Sequence, residues 1–164
     1  LTMKRIFKIK LLNIDNIDKL KREFRKLCQK GLTLFKHDLV MFPEDFDHCC
    51  YEYLRGGIYK GKFSPRRAKK MLLIEQFCKK EIDYQIILES NHKNNHLVIV
   101  SETAEYCIIV TPVTNAGKKY FRLLTTIAFG KGVESGFRRI YKNGKIITEE
   151  ILRLDKKNDL PSNE

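Results

Sequence analysis

Residues 84–129 read YQIILESNHKNNHLVIVSETAEYCIIVTPVTNAGKKYFRLLTTIAF, and the period of this stretch decides the fold. Within it, Tyr84–Glu89, His96–Ser101, Tyr106–Val113 and Tyr120–Phe129 are short runs rich in β-branched and aromatic residues, the mark of strands. Polar turns separate them: Asn91-His92-Lys93-Asn94-Asn95, then Glu102–Glu105, then Thr114–Lys119 with Asn115 and Gly117. Antiparallel pairing of successive strands is the simplest connection. The expectation is an α+β fold in which a meander of about four strands packs on helices.

Upstream the period lengthens to that of helices. Ile17, Leu20, Phe24, Leu27 and Cys28 share one face of a helix from about Ile17 to Lys30, capped by Asp15 or Asn16 and stopped by Gly31. Lys19, Lys21, Arg22, Arg25 and Lys26 fill the rest of that helix. Leu32–Phe42 reads as extended, and Pro43 opens a helix whose apolar stripe is Phe46, Cys49, Cys50 and Tyr53. Ser64-Pro65 starts a helix running to about Lys80, with Arg66, Arg67, Lys69 and Lys70 near its beginning. Cations there oppose the helix dipole, and a bound phosphate would reverse the sign of that cost. Met3–Leu12 reads as a strand, Phe137–Lys142 as a short basic helix, Ile146–Leu154 as helix or strand, and Asp155–Glu164 as a frayed tail. The basic linker Tyr59–Phe63 is the expected seam. It gives an N-terminal α/β lobe (1–60), an α+β core (61–143) and a C-terminal extension (144–164).

Composition points to a polyanionic partner. The 164 residues carry 32 Lys and Arg against 20 Asp and Glu, a net charge of +12, and each phosphate neutralised by such a surface releases counterions. The expected partner is RNA or another nucleic acid, with an acidic protein partner as a third reading. An apolar fraction of 43% supports a real core. Five cysteines without a C-x-x-C pair read as reduced thiols in a cytoplasmic protein. No apolar run is long enough to span a membrane, and no secretory leader is read. There is no Walker loop, dinucleotide fingerprint or H-E-x-x-H, so no cofactor or metal is expected.

Strict alternation along Tyr120–Phe129 puts Phe121, Leu123, Thr125, Ile127 and Phe129 on the helix-packed face. Tyr120, Arg122, Leu124, Thr126 and Ala128 then look outward, joined by Thr111 and His96. A histidine, a cation and a hydroxyl on one face suit metal-independent RNA cleavage, which needs proton exchange and stabilisation of a pentacoordinate phosphate. The expected catalytic set is His96, Arg122 and Thr126. The expected nucleic-acid contacts are Arg66, Arg67, Lys70, Lys93, Lys119 and Tyr120, the last as a stacking platform.

The Ser64-Pro65-Arg66-Arg67-Ala68-Lys69-Lys70-Met71-Leu72-Leu73-Ile74 segment, the paired strands and the closing Phe121-Arg122-Leu123-Leu124-Thr125-Thr126-Ile127-Ala128-Phe129 resemble the barnase–EndoU–colicin–RelE-like nuclease superfamily, in its phage-associated branch. The resemblance covers roughly Ser64–Lys142. It implies a helix packed on an antiparallel sheet and a metal-independent endoribonuclease of toxin type, held by an immunity or antitoxin protein. It maps the helix arginine to Arg66 or Arg67 and the strand hydroxyl to Thr125 or Thr126, with alternation favouring Thr126. The closing strand has no histidine, where some relatives carry one. The alternative is a non-catalytic RNA- or DNA-binding module with a basic sheet face.

Overall fold

A computed structural model describes residues 11–12, 16–54, 59–90, 95–130 and 142–152. The expected strand Met3–Leu12 and helix Phe137–Lys142 fall mostly outside these, and the Asp155–Glu164 tail wholly. The order is α1 (Ile17–Gln29), β1 (Thr33–Leu34), β2 (His37–Val40), α2 (Asp45–Cys50), β3 (Tyr51–Leu54), β4 (Tyr59–Phe63), α3 (Pro65–Ala68), α4 (Leu73–Cys78), β5 (Gln85–Ser90), β6 (Asn95–Ser101), β7 (Tyr106–Asn115), β8 (Lys118–Ala128), β9 (Lys145–Ile147) and a 3₁₀ turn, Glu149–Ile151.

The fold is α+β, but its sheet is larger than a four-strand meander. Strands run β1-β2-β8-β7-β6-β5-β9, and β3 pairs with β4 in a separate ribbon. The meander segments form the antiparallel centre, β5 to β8. β2 makes the sheet mixed by pairing parallel to β8 at Leu39↔Phe121 and Val40↔Arg122. β9 adds the other edge through Ile86↔Ile147. Where β2 stops, α2 takes over beside β8: the Thr125 hydroxyl donates to the His48 carbonyl (2.7 Å) and the Thr126 hydroxyl to that of Cys49 (3.0 Å). Covering an open strand in this way blocks pairing with other chains.

Local chemistry explains the helices. The Asn16 carboxamide oxygen accepts from the Asp18 and Lys19 amides (2.8 and 3.2 Å), and Gly31 follows the helix at φ +63°. The single helix expected from Ser64 to Lys80 is two. Ser64 caps α3 through the Arg67 amide at 3.4 Å, with Pro65 in the first turn. Then Lys70, Met71, Leu73 and Ile74 all donate three residues back. This 3₁₀-like tightening lets Ala68, Met71, Leu73 and Ile74 all be buried completely.

Two apolar clusters flank the sheet. The larger joins Leu20, Phe24 and Leu27 of α1 to α2, α4 and strand residues such as Leu97, Ile108 and Phe121. Residues on both sides of the expected seam at Tyr59–Phe63 share it, and that segment is strand β4 rather than a linker. The second cluster is Ile87, Val98, Val100, Cys107, Ile109, Ile127 and Phe129, with Leu124 against it. Both sheet faces therefore bury apolar side chains.

Candidate nucleic-acid interface

The expected outward row on β8 is broken by a β-bulge. Ile109 pairs with Thr125, but Val110 pairs with Leu123, so Leu124 is the extra residue. A bulge inserts one residue and flips everything beyond it to the opposite face. Phe121 and Leu123 face the helices as expected. Past Leu124, Ala128 joins them, whereas Ile127 and Phe129 pack in the second cluster. Thr126 is consequently fully buried, with its proton on the Cys49 carbonyl. It does not look onto a groove.

Arg122 precedes the bulge and keeps its orientation, but its guanidinium is committed. It makes a two-pronged ion pair with Asp45 (2.5 and 2.8 Å), donates to the Leu123 carbonyl (2.9 Å) and stacks 4.6 Å from the Phe42 ring centroid. Its pKa is raised, chiefly by the Asp45 hydrogen bond. Asp45 is itself buried and also accepts from the Phe42 amide at 2.7 Å.

His96 is the second residue of β6, opposite Glu89. Leu97↔Val110 and Thr111↔Arg122 put His96, Thr111 and Arg122 at one level of the sheet, with His96 and Arg122 two strands apart, ~10 Å. The Thr111 hydroxyl donates to the Asn95 carbonyl (3.1 Å).

The basic helix start lies at the other end. The Lys70 ammonium donates to the Ala104 and Glu105 carbonyls (2.9 and 3.1 Å), in the turn leading into the Tyr106↔Ala128 pair. Five residues of strand, ~17 Å, separate that level from Thr111. Burial lowers the Lys70 pKa, with the neighbouring Glu105 opposing. Arg67 donates to the Tyr51 carbonyl (3.2 Å). The exposed Arg66 sits over Gly130 beside Glu105, its Nη2 3.0 Å and the Glu105 Oε2 2.5 Å from where a Cβ would stand. Lys119 and Tyr120 are half-buried at the start of β8. Lys93 lies outside the described residues. The structure thus brings His96 to the level of Arg122, and separates both from Arg66, Arg67, Lys70 and Thr126.

Among the described residues, the cations most available to a ligand are elsewhere, on α1. Lys19, Lys21, Arg22, Arg25 and Lys26 are all exposed, whereas Asp18 and Glu23 are the helix's two carboxylates. One cation is neutralised within the helix, by Glu23–Lys26 at 3.1 Å. Lys21/Arg25 and Arg22/Lys26 are like-charge pairs four apart, and Lys19/Arg22 and Arg22/Arg25 three apart. Such pairs each destabilise an isolated helix by ~0.2–0.5 kcal/mol.

This surface continues across α2. The Lys21 ammonium is 5.9 Å from the Phe46 ring centroid, Phe46 packs edge-on to Tyr51, and Lys60 of β4 lies 4.7 Å over the Tyr51 ring. Lys60 also meets Asp47 at 3.5 Å. Lys62, two residues further, shares its strand face and is exposed. The α1 cations are visible in the sequence as a helix face. Their junction with Lys60 is not, because residues forty positions apart meet only through α2.

Among the described residues no cluster of His, Cys, Asp and Glu could hold a metal ion, and no helix is long and apolar enough to cross a membrane. None of the five cysteines is in a disulfide, and burial raises the thiol pKa of Cys28 to about 11 and of Cys50 and Cys78 to about 12. Thiols raised in this way are poor nucleophiles. No protein-family model, curated protein or solved structure matches the chain.

Proposed function

We propose that the chain is an RNA-binding module that seats the phosphate backbone of its ligand on the exposed face of α1 and on Lys60 and Lys62 beyond α2. The observation that carries this reading is the unrelieved charge of α1, with five exposed cations in a 13-residue helix and one internal ion pair. A polyanion converts those mutual repulsions into attraction.

Binding is better supported than cleavage. Metal-independent cleavage needs a base, an acid and a cation around one phosphate. Of the three groups expected for it, Thr126 is buried and Arg122 is paired with buried Asp45. The endoribonuclease of toxin type, with its immunity partner, keeps one direct assay. On the binding reading, RNA incubated with the protein in EDTA stays intact; cleavage that disappears in His96→Ala would restore the nuclease.

Fluorescence anisotropy against a short single-stranded RNA between 50 and 200 mM salt tests the binding surface. The wild type should lose affinity steeply as salt rises. Arg22→Glu with Arg25→Glu should weaken binding at least tenfold and flatten the log–log salt slope by about 1.4, two contacts at ~0.7 each. Both substitutions relieve repulsion on an exposed face, so the fold should survive, checked by its thermal melt. Unchanged affinity and slope would overturn the proposal.

A further inference from the structure

The surface just described has a recess of defined chemistry. Between α1 and the start of α2 lies a groove of about 250 Å³, lined by Lys21, Arg25, Pro43, Glu44, Phe46 and Asp47. At ~30 Å³ per water this is room for about eight waters, the scale of one nucleobase. One wall is cationic and belongs to α1. The opposite wall carries two carboxylates, and the floor is apolar.

Opposite charges face each other here without closing on each other. Lys21 is drawn over the Phe46 ring, and Asp47 pairs with Lys60. Among the described residues, Arg25 and Glu44 form no ion pair with each other or with any other group. A ligand filling this gap needs acceptors or negative charge on its α1 side and N–H donors on its α2 side. A phosphate backbone threaded through the groove satisfies the first wall and is repelled by the second. A nucleotide with its base turned in satisfies both.

We infer that this groove binds a single unpaired guanine of the RNA, its phosphate on Lys21 and Arg25 and its Watson–Crick edge on Glu44 and Asp47. Ionised carboxylates only accept hydrogen bonds. Guanine offers two adjacent donors, N1–H and N2–H, matching the two oxygens of one carboxylate. Adenine sets a ring acceptor beside its amino group, and uracil flanks its one donor with two carbonyls, so both put a lone pair against the carboxylate. A base-paired guanine has already used those donors, which restricts the site to loops, bulges and ends. This inference rests on the α1 binding reading and adds a specificity to it.

The test compares two labelled RNA decamers, one of uridines alone and one with a single central guanosine. The guanosine decamer should bind the wild type about tenfold more tightly, and annealing it to a complement that pairs the guanine should abolish the preference. Glu44→Gln with Asp47→Asn should bring the two decamers within about twofold of each other while tightening the all-uridine one, because two negative charges leave the phosphate path. Equal affinities in the wild type, a preference that survives pairing, or one that survives in the double variant would each overturn the guanine site and leave the α1 reading standing. If neither decamer binds, the α1 reading has failed and the site with it.

Discussion

Asp45 determines what Arg122 can do. Its carboxylate is buried, accepts from the Phe42 amide and takes both prongs of the guanidinium. Removing one partner of a buried pair leaves an uncompensated charge, which costs more than the pair itself is worth. Arg122→Ala should therefore destabilise the protein by ~3 kcal/mol in urea unfolding, and at temperatures where the variant stays folded its RNA affinity should match the wild type. A phosphate-bracing arginine would show the opposite, with stability kept and affinity lost. Tyr106 gives a contrasting case. Its ring stacks on Phe77 at 6.3 Å, and its hydroxyl is wholly buried without a well-formed hydrogen bond among the described residues. Burial drives its pKa well up, and the nearby Thr126 hydroxyl offsets this only in small part. A buried polar group left unsatisfied costs ~1–3 kcal/mol. Tyr106→Phe should raise the melting temperature, and a fall would show that the hydroxyl is bonded after all.

At the scale of elements, Glu75 of α4 clamps the end of α1. It accepts from Lys30 (2.6 Å) and pairs with Lys79 (2.9 Å), and these hydrogen bonds lower its pKa from 4.5, Lys30 contributing most. A depressed carboxylate pKa stabilises the folded state above the ordinary value and stops doing so as pH falls through the depressed one. The wild type should exceed Glu75→Gln by ~1 kcal/mol at pH 7, allowing for two exposed lysines. That gap should shrink below pH 4.5 and close in stronger acid, read from urea midpoints across the range. The sequence shows elements well where a pattern repeats or a cap is spelled out, as for α1 with Asn16 and Gly31 or Ser64-Pro65. It shows them poorly where tertiary packing overrides local preference. Leu32–Phe42 is a tight hairpin, not one extended run, because Phe35 and Lys36 both adopt positive φ (50° and 70°) without the usual Asn or Gly. Phe35 is held there by edge-on contact with Phe121 at 6.1 Å. The bulge at Leu124 falls in a stretch with no glycine, and it turns Thr126 to the face opposite the one that strict alternation gives.

For the molecule as a whole, the α+β class was readable and the mixed sheet was not. Parallel pairing of β2 with β8 joins positions some eighty residues apart, beyond any window of periodicity. The candidate interface divides the same way: its cations stand together in α1, whereas Glu44, Asp47 and Lys60 reach them only through the finished fold. That arrangement has a bearing on what a shortened chain would keep. Residues 17–62 contain every cation of the proposed binding surface, yet α2 is fastened in place by Arg122, Thr125 and Thr126, each reaching back 77 positions to Asp45, His48 and Cys49. Contacts of such long sequence separation form late. On the proposed binding reading, a fragment cleaved before residue 118 would retain every lysine and arginine of α1 without the contacts that hold α2 beside them, and it should bind RNA without the guanine preference of the intact protein.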